Sequence, residues 1–331
     1  MYKDTYKRIE REYERKRNLA NRKYMELKES IYSSTPRLRE IDVTIAKLGI
    51  RSAKLSISSD TNKAELIRSI RSQIEQLKKE KEAILAQLEV ELKPQYSCDI
   101  CQDTGFYTQD GTMHMCSCFK QELINESYSK SNLYQLKEES FHKINLELFS
   151  NTPSPEKYHN ALSPRENMEK IIQFSKSFIE NFNQPSQKNL LFTGTPGVGK
   201  TFLSSCIANE IINKNYTVLY QTSSLLLNSI FDYKFSKGEA SKELYDSIFN
   251  VNLLVIDDLG TENLTAAKFE ELFTIINARL ITPYTKTIIS TNLSLEELAK
   301  TYDHRIISRI MGNYIILRFF GDDIRLKKYN K

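Results

Sequence analysis

Residues 194 to 201 read Gly194, Thr195, Pro196, Gly197, Val198, Gly199, Lys200, Thr201, which fits GxxxxGK[ST] without a gap. A polyphosphate needs several backbone N–H groups aimed inward with no side chains in the way, a cation, and a hydroxyl to hold Mg²⁺. The three glycines leave that room. Lys200 can reach the β- and γ-phosphates, and Thr201 can ligate the metal at a helix N-terminus already biased toward anions. The flanks decide between this chemistry and an ordinary glycine-rich turn. Asn189 to Thr193 read as a short apolar strand and a helix follows, as the mechanism requires.

Acids and an amide recur at the ends of later apolar runs. Asn252 to Ile256 form a strand that ends in Asp257 and Asp258, and an apolar strand delivering acids at its C-terminal tip is how a phosphate-loop ATPase holds Mg²⁺, through the first acid, and orients water, through the second. Glu262 stands close enough to help or substitute as the base. A further strand, residues 286–292, ends in Asn292, which would sit beside the γ-phosphate if that strand neighbours the one before the loop.

A second constellation is built from sulfur. Cys98 and Cys101 form a CxxC knuckle and Cys116 and Cys118 a CxC, so four of the five cysteines fall within 21 residues. The intervening segment reads as a hairpin with Asp110 and Gly111 at its turn. Four thiolates around one tetrahedral Zn²⁺ is the natural reading in a reducing compartment, with His114 a possible substitute for one cysteine and unligated buried cysteines the alternative.

The elements that must position these groups follow from the apolar pattern. At 331 residues, 40% hydrophobic and 27% charged, the chain has room for two domains and a substantial core. Its N-terminus is too charged for a signal peptide and no apolar run approaches a membrane span, so a cytoplasmic protein is expected. The net charge is +5. Residues 1–94 hold 22 Lys/Arg against 15 Asp/Glu, and the remainder 25 against 27, so the basic excess lies in the N-terminal region. It faces either solvent, nucleic acid or an acidic protein.

Residues 2 to about 31 predict one long helix. Thr35 and Pro36 start a second that stops at Gly49, and a third starts near Asp60 to Asn62. In the third, Ile67, Ile70, Ile74, Leu77, Ile84 and Leu88 occupy heptad a and d positions with Lys81 as the polar intruder, and Pro94 ends it. Two or three helices packed as an antiparallel coiled-coil hairpin, or an intermolecular coiled coil, are the expectations. The organisation predicted is 1–94 helical and partner-binding, 95–120 zinc-binding, 121–165 a connector interrupted by Pro153, Pro155 and Pro164, and 166–331 a nucleotide-binding domain. Its strands alternate with helices and are continuous apolar runs, which argues a parallel sheet covered on both faces.

With the phosphate loop, the Asp257–Asp258 strand, Asn292 and the arginine-bearing segment 305–310 in order, residues 165–331 resemble the bacterial replicative-helicase loaders of the DnaC and DnaI type, a branch of the AAA+ ATPases related to IstB-like transposition helpers. The cysteine segment ahead of such a domain resembles Gram-positive members of the group. The resemblance implies ATP and Mg²⁺ as cofactors, Walker A at Gly194 to Thr201, and a Walker B magnesium ligand at Asp257. It puts Asp258 at the catalytic position, Asn292 at sensor 1 and Arg325 at sensor 2. Arg309 becomes an arginine finger for a neighbouring subunit's ATP, with Arg305 as its weaker rival.

It also implies self-assembly, docking on a hexameric helicase of the DnaB type, and single-stranded DNA contacts near Lys234, Phe235, Lys237 and Lys242, where an amphipathic solvent-facing helix pair is the alternative. Where the wider family has Glu, this chain has the shorter Asp258, so slow basal hydrolysis is expected. The chain stops at Lys331, just after Arg325, without a full helical lid, which would leave nucleotide closure to neighbouring subunits. An ATPase helper of a transposase on duplex DNA, or a non-hydrolysing adaptor, would use the same motifs. Protein purified without chelator should carry one Zn²⁺ per chain by elemental analysis, and no stoichiometric metal would end the zinc reading.

Overall fold

The computed structural model describes residues 2–57, 62–127, 139–236, 239–262 and 265–327, with side chains omitted at 2, 3, 232, 233, 235, 236 and 239–244. These residues divide into two compact units: 10–107 form one, and 1–9 with 108–331 form the other. No helix among them is long and apolar enough to cross a membrane.

Three helices lead the chain: α1 (Tyr2–Ser34), α2 (Pro36–Ile57) and α3 (Lys63–Gln87). Pro36 opens α2 as expected, because its missing N–H is one that a first helical turn leaves unpaired anyway. Gly49 does not end that helix. It is an interior glycine tolerated at a cost of about 0.5–1 kcal/mol, and α2 runs on to Ile57. Asn62 takes the N-cap position of α3 without a side-chain capping bond, Asp60 lies outside the described residues, and the helix ends at Gln87, ahead of Pro94.

Helices α2 and α3 run antiparallel, with Arg37 on Glu80 at 2.8 Å and Lys81 on Asp42 at 2.5 Å. Of the heptad positions, Ile70 is buried and Ile67, Ile74, Leu77 and Ile84 are half-buried, while Leu88 lies past the end of the helix and is exposed. Lys81 has a reason to be in the stripe. Its ammonium also donates to the Tyr32 hydroxyl at 3.2 Å, and Tyr32 in turn donates to Asp42, so the polar intruder joins three helices.

Strands β1 (Phe106–Gln109) and β2 (Thr112–Met115) form the expected hairpin, with positive φ at Asp110 and Gly111 as a tight turn requires. Helix α4 (Ser117–Ser127) follows. Residues 141–149 are not a spacer. Phe141, Ile144, Leu146, Leu148 and Phe149 pack into the core of the second unit. Pro164, expected as a loop residue, is the first-turn proline of α5 (Pro164–Glu180), whose capping box is Ser163 with Glu166.

The sheet follows: β3 (Asn189–Thr193), α6 (Lys200–Asn213), β4 (Val218–Thr222), α7 (Ser223–Ser236), α8 (Glu239–Asn250), β5 (Leu253–Leu259), α9 (Ala266–Ile281), β6 (Lys286–Thr291), α10 (Leu295–Thr301), α11 (His304–Asn313), β7 (Tyr314–Arg318) and α12 (Ile324–Lys327). All five strands are parallel, in the order β4-β5-β6-β3-β7, with an apolar cluster on each face. The fifth strand, β7, is the element that the sequence pattern hid. It is short, only its first residue is buried, and it runs straight on from the arginine-bearing α11, so it reads as tail.

At the far edge, β4 is covered by one side chain. Gln121 of α4 accepts from the Val218 N–H at 2.7 Å and donates to its carbonyl at 2.9 Å, satisfying a sheet edge that another chain could otherwise pair with. Gln121→Ala should cost about 1–3 kcal/mol by leaving buried backbone groups unpaired. An unchanged urea midpoint would show that water replaces the amide.

Candidate functional site

Strands β3, β5 and β6 bring the candidate residues to or near their C-terminal ends. The loop after β3 wraps from Gly194 to Gly199, and Gly199, at φ +94°, caps α6 in a conformation that side chains resist. Gly194 is required for a second reason: a Cβ there would lie 2.1 Å from the Phe319 carbonyl oxygen. Lys200, in the first turn of α6, is buried and donates to Gly194 O at 2.5 Å, Thr195 O at 2.8 Å and Asn292 Oδ1 at 2.8 Å. Asn292 reaches it because β6 does neighbour β3.

Asp257, two residues before the end of β5, is 2% exposed. Hydroxyls from both neighbouring strands hold its carboxylate: Tyr220 of β4 donates to Oδ2 at 2.9 Å and Ser290 of β6 donates to Oδ1, while Thr201 lies 3.4 Å from Oδ1. Tyr220 and Ser290 are positions around Asp257 that motif reading missed, since they appear only when strand order is known. Asp258 has φ +53°, which turns its side chain toward the Asn292 amide, 3.5 Å away.

Gly197, Lys200, Thr201, Asp258, Asn292 and Arg325 are among the residues that line a cavity of about 530 Å³. Beside it, a mostly apolar cleft of about 90 Å³ runs between Ile144, Leu148, Phe149, Met168, Phe202 and Ile324. The spaced apolar residues 141–149 were the available signal for it.

The electrostatics fit a polyanion with a metal. Burial pushes the Lys200 ammonium down to about 8, against partial support from Asp258 and Asp257. Burial, then the nearby Asp257, raises the Asp258 carboxyl, opposed by Lys200 and Arg325. A phosphate chain would return charge to Lys200, and a cation beside Thr201 and Asp257 would relieve the paired acids.

Residues 156–331, just over half of the chain, match the family described as IstB-like ATP binding protein. The replicative helicase loader DnaC of Buchnera aphidicola (subsp. Baizongia pistaciae) is 31% identical over 186 residues, 55% of this chain and 72% of that one. The chain belongs to the IstB-like ATP-binding family, in its DnaC/DnaI branch. Further relatives are DnaC of Escherichia coli K12, 29% identical over 161 residues, and DnaI of Bacillus subtilis, 28% identical over 142. The matched region spans 64% and 44% of those two proteins' lengths and 47% and 41% of this chain. Solved structures titled as the DnaC helicase loader and as DnaI are each 25% identical. Their TM-scores are 0.43 and 0.44, and they cover 53% and 58% of this chain and 96% and 93% of their own.

For this IstB-like chain, the remaining expected residues fall in separate places. Arg325, in α12, joins the cavity, its backbone N–H held by Asp323 at 2.9 Å. Arg309 and Arg305 lie on α11, exposed and outside this chain's own cavity lining. Both guanidinium groups face the Phe273 ring. Arg309 bonds Asn277 at 3.1 Å, and Arg305 pairs with Glu270 at 2.9 Å and Asp303 at 3.1 Å. Glu262 is not among the residues lining the cavity. It is 7% exposed, with both oxygens engaged by Ser223, Gly260 and Tyr302. Lys234 is ion-paired with Glu271, Lys237 lies outside the described residues, and so do the side chains of Phe235 and Lys242.

Of the four cysteines expected to hold zinc, Cys98, Cys101 and Cys116 are buried and Cys118 is half-buried. The donor set suits Zn²⁺. Asp103, buried, accepts from the Ser97 and Cys98 N–H groups at 2.9 and 3.0 Å and shapes the first knuckle. His114 is exposed on β2.

Because Lys200 has lost proton affinity relative to an ordinary lysine, its ammonium disappears as pH rises through about 8. A polyphosphate binds the ammonium form, so affinity for a labelled ATP analogue should fall about tenfold between pH 7.5 and 9.5, measured by fluorescence anisotropy. Lys200→Ala should bind weakly at every pH; a pH-independent affinity in the unaltered chain would contradict the assignment.

Proposed function

We propose that this chain is an ATP-driven loader of a hexameric replicative DNA helicase onto single-stranded DNA. The observation that carries the reading is the convergence of Lys200, Thr201, Asp257, Asp258, Asn292 and Arg325 on one site, in a chain whose relatives are named replicative helicase loaders. The nucleotide unit binds Mg²⁺–ATP. Lys200 and Arg325 take the phosphates, Thr201 and Asp257 the metal, and Asp258 with Asn292 positions water. The bound metal–nucleotide supplies the charge that Lys200 and the paired acids are arranged to meet.

In this reading the N-terminal helices, with their basic excess, and the zinc-holding cysteine module dock on the helicase. ATP binding and hydrolysis then switch loading and release. The nucleotide units self-assemble so that Arg309, exposed and outside its own cavity, reaches the neighbouring copy's ATP. A guanidinium supplied in trans is worth about 10³–10⁵ in rate in related phosphoryl-transfer systems. Asp258, one methylene shorter than Glu, gives slow basal turnover until the neighbour docks. Single-stranded DNA contacts remain with the segment 234–242, in which Lys234 must first exchange its Glu271 partner for phosphate.

The family description favours one second reading, an ATPase helper of a transposase on duplex DNA. Light-scattering mass separates the two. Mixed with the host's replicative helicase, the chain should form a discrete complex whose mass depends on ATP and changes in Lys200→Ala. No complex in any nucleotide condition would move the assignment to the helper reading. Arg309→Ala should retain ATP binding and lose at least about 100-fold of assembly-stimulated turnover. Unchanged turnover in the assembled state would remove the finger role.

A further inference from the structure

Glu262 is a buried carboxylate that the proposed chemistry does not use. Its oxygens join three segments. Oε2 accepts from the Gly260 N–H at 3.0 Å and from Ser223 Oγ at 2.5 Å, and Oε1 accepts from the Tyr302 hydroxyl. Ser223 Oγ also lies 3.0 Å from the Asp258 carbonyl, which Thr261 Oγ1 reaches at 2.8 Å. The turn from Asp258 to Glu262 is therefore held at every polar position named, around a left-handed Asp258 and a Gly260 at φ +104°. Gly260 has no slack, since a Cβ there would meet Leu293 Cδ1 at 2.7 Å.

The other end of this bridge is the start of the arginine helix. Tyr302, 4% exposed, closes α10 through its N–H to Leu298 O at 2.9 Å and sets its ring edge-on to Phe269. The next residue, Asp303, caps α11 by accepting from the Arg305 N–H at 2.7 Å. Between Asp258, which lines the cavity, and the helix that carries Arg305 and Arg309 there is one buried carboxylate. A group so enclosed cannot exchange a lost partner for water, so a shift of the turn must either carry Tyr302 with it or leave a charge unpaired.

We propose that Glu262 is a positioning residue that couples nucleotide occupancy beside Asp258 to the orientation of α11, the face offered to a neighbouring copy. This rests on the reading of the cavity as an ATP site. Two ends of one chain, its own nucleotide and its neighbour's, are thereby linked through a single two-ended side chain. Such a link transmits a signal because the two arrangements of the turn interact differently with the nucleotide.

Hydrogen exchange on the full chain tests this, with Mg²⁺ and a non-hydrolysable ATP analogue, at a concentration where light scattering gives the single-chain mass with and without the analogue. In the unaltered chain the analogue should slow exchange at 194–201 and change it threefold or more at 304–313. Tyr302→Phe should keep the loop protection and reduce the response at 304–313 to less than 1.5-fold. Glu262→Gln, which still offers Gly260 an acceptor but removes the charge, should lose at least half of that response. No protection at 194–201 in the unaltered chain would overturn the nucleotide reading and the coupling with it. Protection at 194–201 without a change at 304–313, or an undiminished change in either variant, would overturn the coupling alone.

Discussion

The pairing of β3 with β6 is the constraint on which the site depends. With Thr193 opposite Thr291, the loop that starts at Gly194 leaves the sheet beside Asn292, so two segments about a hundred residues apart meet at the Lys200 ammonium. A slip of one residue would turn every side chain of β3 to the opposite face. The apolar runs on both sides make that slip expensive, since Leu190, Leu191, Phe192, Ile288 and Ile289 are all fully buried.

A sheet buried on both faces leaves its polar work to the ends. Near the C-terminal ends, Asp257 is removed from water and held by hydroxyls from both flanking strands, which fixes its direction without adding charge. At the opposite end, Arg279 is also enclosed, and burial lowers it to about 9. Its guanidinium donates to the Lys286 carbonyl at 2.7 Å, the Ile248 carbonyl at 2.9 Å and the Val251 carbonyl at 3.0 Å, tying the end of α8 to the entries of β5 and β6. Buried charge is tolerable in both places because its bonds are supplied by groups that the surrounding strands and helices already fix.

The N-terminal half relies on different means. Long, highly charged helices bury little, and their register is marked by polar contacts such as Lys81 with Asp42 and Tyr32. In the first cysteine knuckle, the Asp103 carboxylate accepts from the Ser97 and Cys98 N–H groups and fixes the turn.

Local chemistry was enough to read the phosphate loop, the two acids after β5, the cysteine pairs with their turn at Asp110–Gly111, and the parallel class of the sheet. Each is a requirement met by neighbours in the chain: glycine where φ is positive, apolar runs where both faces are covered. Only tertiary structure decided the rest. Strand order revealed Tyr220 and Ser290 around Asp257, and it added β7, whose half-buried residues carry no clear period. Packing drew residues 141–149 into the core and turned Glu262 from a candidate base into a buried bridge. An acid's role depends on what surrounds it, and for Glu262 those surroundings arrive from Ser223 and Tyr302, some forty residues away on either side.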